Sequence, residues 1–91
     1  ALDSGTPVLL LTMLSKSFYA PSNAGIVDPA DGENPDPALR HAVVAVGHGT
    51  TSDQTAILVR NSWGAEWGEN GHAWLTEKFL SPRLFATAIL T

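Results

Sequence analysis

Asn61-Ser62-Trp63-Gly64-Ala65-Glu66-Trp67-Gly68-Glu69-Asn70-Gly71 closes the apolar run Ala56-Ile57-Leu58-Val59-Arg60, and its reading decides the fold. Two indoles and three glycines within eleven positions describe a tight loop with large rings folded into it. Twenty residues before Asn61, His41 opens a second apolar run, Ala42-Val43-Val44-Ala45-Val46-Gly47. Strand alternation puts His41, Val43 and Ala45 on one face, and Ile57, Val59 and Asn61 on one face of the next strand. Antiparallel pairing sets the start of one strand beside the end of the other, so His41 and Asn61 meet at one rim of the sheet. The imidazole then donates one ring N–H to the amide oxygen and keeps its other nitrogen as a base. Trp63, two residues on, is placed to cover that bond and exclude water, which strengthens it. An imidazole oriented in this way activates a thiol, yet the chain contains no cysteine.

Outward from this centre, residues 7–14 read as a buried strand, with proline tolerated at its first position. Residues 17–19 form a turn or short helix, and residues 20–25 a loop. Residues 28–37 hold three prolines, a glycine and four acids, and read as a solvated loop. Strands follow at 41–46, ended by Gly47-His48-Gly49, and at 56–61 after a polar turn at 50–55. A fourth strand spans 72–76, a helical turn 77–80, and a last strand 84–90. In that last strand Phe85, Thr87 and Ile89 face one side, and Leu84, Ala86, Ala88 and Leu90 the other. The fold class is therefore mainly β, an antiparallel barrel or strongly bent sheet, with residues 1–91 as a single domain.

A chain of 91 residues hides only about 60–65% of the surface that its unfolded form exposes. Its hydrophobic content is 44%, and its 15% of charged residues is low against the usual quarter or so. Low charge with many apolar residues points to surface that something else covers. The net charge of −4 and the lack of any Lys/Arg cluster argue against nucleic acid. No apolar stretch reaches the length of a membrane span, and these residues include no signal peptide. Without cysteine there are no disulfides or thiolate metal sites, and the sequence leaves localisation open. Asp28, Asp31, Glu33 and Asp36 do not follow the EF-hand spacing, so no metal is expected there. No Gly-x-Ser-x-Gly elbow is present for a serine hydrolase.

His41-Ala42-Val43-Val44-Ala45-Val46-Gly47-x-Gly49 and Val59-x-Asn61-Ser62-Trp63-Gly64-x-x-Trp67-Gly68-Glu69-Asn70-Gly71 resemble the C-terminal half of papain-like cysteine peptidases, the cathepsin family. Pro7-Val8 and Gly25-Ile26 also fit, so the resemblance covers nearly the whole chain. It implies the antiparallel barrel-like half of an α+β fold, completed by a helical half that carries the cysteine nucleophile and the oxyanion-hole glutamine. A cleft for a peptide or protein substrate runs between the two. By that resemblance His41 is the general base and acid, and Asn61 orients it. Trp63 shields the pair, Trp67 lines the leaving-group side of the cleft, and Leu11, Leu39 and Ala42 form the main specificity pocket. No cofactor and no metal is implied.

The expected partner is the cysteine-bearing half, on a separate chain or a cleaved segment, and this chain is inactive alone. The alternative is an inactive papain-fold binding or regulatory module. Arg40, immediately before His41, is a cation that would lower an imidazole pKa. His48 and His72 stand where the family commonly has tyrosine and are read as structural rather than as zinc ligands. The ending, Phe79-Leu80-Ser81-Pro82 and a final strand, resembles bacterial members. Both functional readings expect an exposed apolar wall near His41, Trp63 and Trp67, to be buried in an interface of roughly 2,000 Å².

Overall fold

A computed structural model describes residues 6–51 and 53–89. Its elements in chain order are β1 (Val8–Leu14), α1 (Lys16–Tyr19), β2 (Ile26–Val27), β3 (Asp36–Thr51), β4 (Gln54–Arg60), β5 (His72–Thr76), α2 (Glu77–Leu80) and β6 (Leu84–Ile89). The six strands make one sheet in the order β2-β5-β4-β3-β1-β6. Every pairing is antiparallel except β2 with β5. The sheet is open, with β2 and β6 as its edges among the described residues, rather than a closed barrel.

One face of this sheet holds the core. Leu10 and Leu14 of β1, Val43 and Ala45 of β3, Val59 of β4, and Ala73 and Leu75 of β5 are buried together. Phe18 of α1, Phe79 and Leu80 of α2, Val27 and Trp67 complete the cluster. Phe18 and Phe79 have no exposed surface, and each burial contributes about 1.5–3 kcal/mol. The two short helices thus add Phe18, Phe79 and Leu80 to the core on the sheet's inner face.

β3 and β2 differ most from the sequence reading. β3 runs to 16 residues instead of six: its start pairs with β1 as far as Leu14 opposite Asp36, and Gly47 and Gly49 stay in the ladder opposite Leu58 and Ala56. The missing side chain of Gly49 makes room for Trp74, since a Cβ there would lie 3.3 Å from its ring, whereas one at Gly47 would meet Leu58 at an ordinary 3.6 Å. Gly49 serves packing rather than chain reversal. A bulge lies between Ala45 and Gly47, and the β3–β4 hairpin closes at Thr51 opposite Gln54, with Asp53 at φ 59°. β2 is a two-residue strand whose shortness gives no alternation to read. β6 ends at Ile89 among the described residues, and Leu90 lies outside them.

The segment 28–37 is not merely solvated. Glu33 is 13% exposed at its side chain, and Asp28 accepts a hydrogen bond from the Thr76 hydroxyl at 2.8 Å. Two acids that look like loop solubilisers are therefore structural anchors.

Candidate active site

His41 lies on the β3 segment opposite Thr12 of β1, and Asn61 follows the last residue of β4. Pairing of Ala45 with Val59 and of Val44 with Arg60 carries the register to the rim where both sit. His41 Nε2 and Asn61 Oδ1 are 2.7 Å apart. The same Oδ1 accepts the Ser62 backbone N–H at 2.8 Å, which identifies the oxygen of the carboxamide. An oxygen facing Nε2 requires that this ring nitrogen donate, so in the neutral ring Nε2 carries the proton and Nδ1 is the acceptor. Asn61 is 6% exposed, and its Nδ2 is buried without a hydrogen-bond partner among the described residues. An unmet donor of this kind costs about 1–3 kcal/mol.

The loop after Asn61 folds back on itself. The Asn61 N–H donates to Gly71 O at 2.9 Å, and the Gly71 N–H to Trp67 O at 2.9 Å. Gly68 has φ 60°, and a Cβ there would lie 2.3 Å from the His72 carbonyl oxygen, so the close return to β5 requires glycine. The fold-back presents Trp63 to the histidine: the two ring centroids are 4.8 Å apart with planes 34° from parallel. Trp63 is 41% exposed, with one side against the pair and another toward solvent.

Trp67 is placed differently from its expected position on the cleft wall. It is 7% exposed and belongs to the core, where its indole N–H donates to Phe18 O at 2.8 Å. Its contact with Trp63 is edge-on at 6.2 Å. Burial by α1 puts it under the site as a support rather than in the open groove. Leu11 and Ala42 are direct cross-strand partners and share one face, while Leu39 precedes them on β3 and is 39% exposed. Arg40 points to the face opposite His41. Its Nε donates to Pro37 O at 3.1 Å, and its guanidinium stacks over Phe85 at 5.5 Å. His72 Nδ1 lies 2.9 Å from Asn70 O, and among the described residues no group of three or more potential ligands is arranged to hold a metal.

Sequence reasoning missed the residues that support the site from below. Phe18 makes edge contacts with His41 at 5.9 Å and with Trp63 at 5.3 Å. Glu33 accepts from the Ser17 N–H at 3.1 Å, from Ser17 Oγ at 2.7 Å and from Ser15 Oγ. Burial pushes its carboxyl pKa up, but these hydrogen bonds outweigh it and hold the group at about 2. Arg83 is 1% exposed. It donates to Ser15 Oγ, Phe79 O and Glu33 O, and its guanidinium lies over the Phe79 ring at 4.4 Å. Burial lowers the Arg83 pKa, and the nearby Glu33 carboxylate partly offsets this. A lone arginine within an apolar ending was the available signal; nothing distinguished Glu33 from the other acids of its loop.

A sequence profile of papain family cysteine proteases matches residues 1–80, and the chain belongs to that family. A viral cathepsin of Cydia pomonella granulosis virus is 45% identical over 49 residues, 54% of this chain and 14% of the viral protein. Chymopapain of Carica papaya is 53% identical over 34 residues, 37% of this chain and 10% of that protein. Xylellain, a cysteine protease from Xylella fastidiosa, superposes with a TM-score of 0.72 at 24% identity, covering 99% of this chain and 34% of xylellain. The chain thus spans a small part of the curated relatives, 14% and 10% of their lengths.

Proposed function

We propose that this chain is the histidine- and asparagine-bearing part of a cysteine peptidase, with the thiol supplied by a helical half on another chain or segment. The observation that carries the reading is the 2.7 Å contact from His41 Nε2 to an Asn61 oxygen that also takes the Ser62 N–H. Asn61 fixes the ring and its tautomer, so Nδ1 accepts the proton of an incoming cysteine thiol. The thiolate attacks the scissile carbonyl, and the imidazolium returns its proton to the leaving amine as the peptide C–N bond breaks. Water then hydrolyses the thioester, with Nδ1 as base once more. The amide orients the ring without adding a negative charge beside it.

Trp63 roofs the pair and excludes water from the hydrogen bond. Leu11, Leu39 and Ala42 are the proposed specificity wall for a peptide or protein substrate. Residues 1–91 act as one domain, and no cofactor takes part.

The test combines this chain with a cysteine-bearing half and compares peptide hydrolysis by the native chain and a His41→Ala variant. Loss of hydrolysis on substitution, by about 10³-fold or more, is the expected outcome. Equal rates overturn the catalytic assignment. Peptide binding without turnover by the native pair would favour the inactive binding module instead.

A further inference from the structure

Tyr19 touches the roof of the site. It ends α1 and is 50% exposed, with its ring stacked on Trp63 at 5.4 Å and only 17° from parallel. Trp63 therefore joins two rings in series, Tyr19 and His41. The remaining ring contacts of Trp63, to Phe18 and Trp67, are edge-on at 87° and 84°. Phe18 is fully buried and belongs to the core. Tyr19 buries little, so core packing does not explain a phenol laid flat on a half-exposed indole.

Trp63 needs such a support. It sits in a bend immediately before Gly64, whose φ is 93°, and no core side chain lies face to face with it. Tyr19 in turn is firmly placed. Glu33 takes the Ser17 N–H at one end of α1, and the Trp67 indole donates to the carbonyl of Phe18, the neighbouring residue.

We propose that Tyr19 is a positioning residue that holds the Trp63 indole over the His41–Asn61 hydrogen bond. The proposal rests on the site reading above and adds the residue that keeps its cover in place. When the stack is lost, the indole swings away from the pair more often and water reaches the His41 Nε2–H.

The experiment follows the His41 ring proton by NMR in the chain as it stands, which requires neither a partner half nor a substrate. Tyr19→Ala should speed exchange of that proton with water by about two- to tenfold, the factor that an aromatic pair's usual strength implies. Tyr19→Phe, which keeps the ring and drops the hydroxyl, should restore the native rate. Exchange unchanged in Tyr19→Ala but faster in Trp63→Ala would overturn the proposal, since the roof then needs no support. Phe behaving like Ala at position 19 would overturn it as well, because stacking is then not the cause. If neither Trp63→Ala nor Asn61→Ala alters the His41 signal, the site reading itself fails and the proposal falls with it.

Discussion

Asn61 makes its backbone and side chain work together: its N–H closes the loop onto Gly71, while its Oδ1 takes both the Ser62 N–H and the His41 ring. That geometry holds only while the loop returns tightly to β5, and Gly68 is the position that decides the return. A Cβ at Gly68 collides with a backbone carbonyl at a φ that L side chains avoid, whereas Gly32, at φ 80°, has nothing within 4 Å. Gly68→Ala should therefore cost on the order of 3 kcal/mol and lower the thermal midpoint by roughly 10–20 °C. Gly32→Ala carries the conformational cost alone, about 1 kcal/mol. Equal midpoints for the two variants, measured by calorimetry, would show that the close approach to His72 does not matter. At this scale the His41–Asn61 pair was legible because alternation along a strand is a local rule. The core position of Trp67 was not, because it depends on α1 lying above it.

The two short helices are held at their N-termini by different means. In α2 the Thr76 hydroxyl accepts the Phe79 N–H at 3.3 Å, a cap placed by adjacent sequence. In α1 Ser15 makes no such bond with its side chain, and the carboxylate of Glu33, sixteen residues after Ser17, takes the Ser17 N–H instead. Glu33 has a pKa depressed from 4.5 to about 2, so its stabilising effect is complete above about pH 4.5 and is lost as pH falls toward 2. Glu33→Gln should then be less stable than the native chain at pH 6 by on the order of 2 kcal/mol, with the gap narrowing below pH 4. Thermal melts of both proteins across that range check this; a gap independent of pH would refute the assignment of the charge. Long-range capping was not legible, since the sequence holds four acids in this loop and no local pattern selects one. The C-terminal extension of β3 was missed for a related reason: glycine reads as a breaker until the Trp74 ring that Gly49 accommodates is known.

Over the whole molecule, a radius of gyration of 12.1 Å matches the value of about 12 Å for a compact chain of this length, so the core forms within these residues. Several large apolar side chains remain on the molecule's surface. Tyr19, Leu39 and Trp63 are exposed around the His41 rim, and Leu84, Phe85 and Ile89 are exposed along the edge strand β6. Long apolar edges of this type invite pairing or cover. The isolated chain should bind an apolar dye strongly and self-associate with rising concentration in sedimentation. Adding a cysteine-bearing half should suppress both. A monomer at all concentrations with no dye binding would contradict the idea of a covered wall.

The centres of the longer strands, the pairing of His41 with Asn61 and the family follow from the sequence, because hydrophobic period and a dense Asn-Ser-Trp-Gly string act over a few residues. The openness of the sheet, the buried Arg83–Glu33 network and the Tyr19–Trp63 stack were settled only by tertiary structure. Each joins segments distant along the chain, such as Ser15 and Arg83, whose meeting depends on how helices and edge strands pack against a shared core.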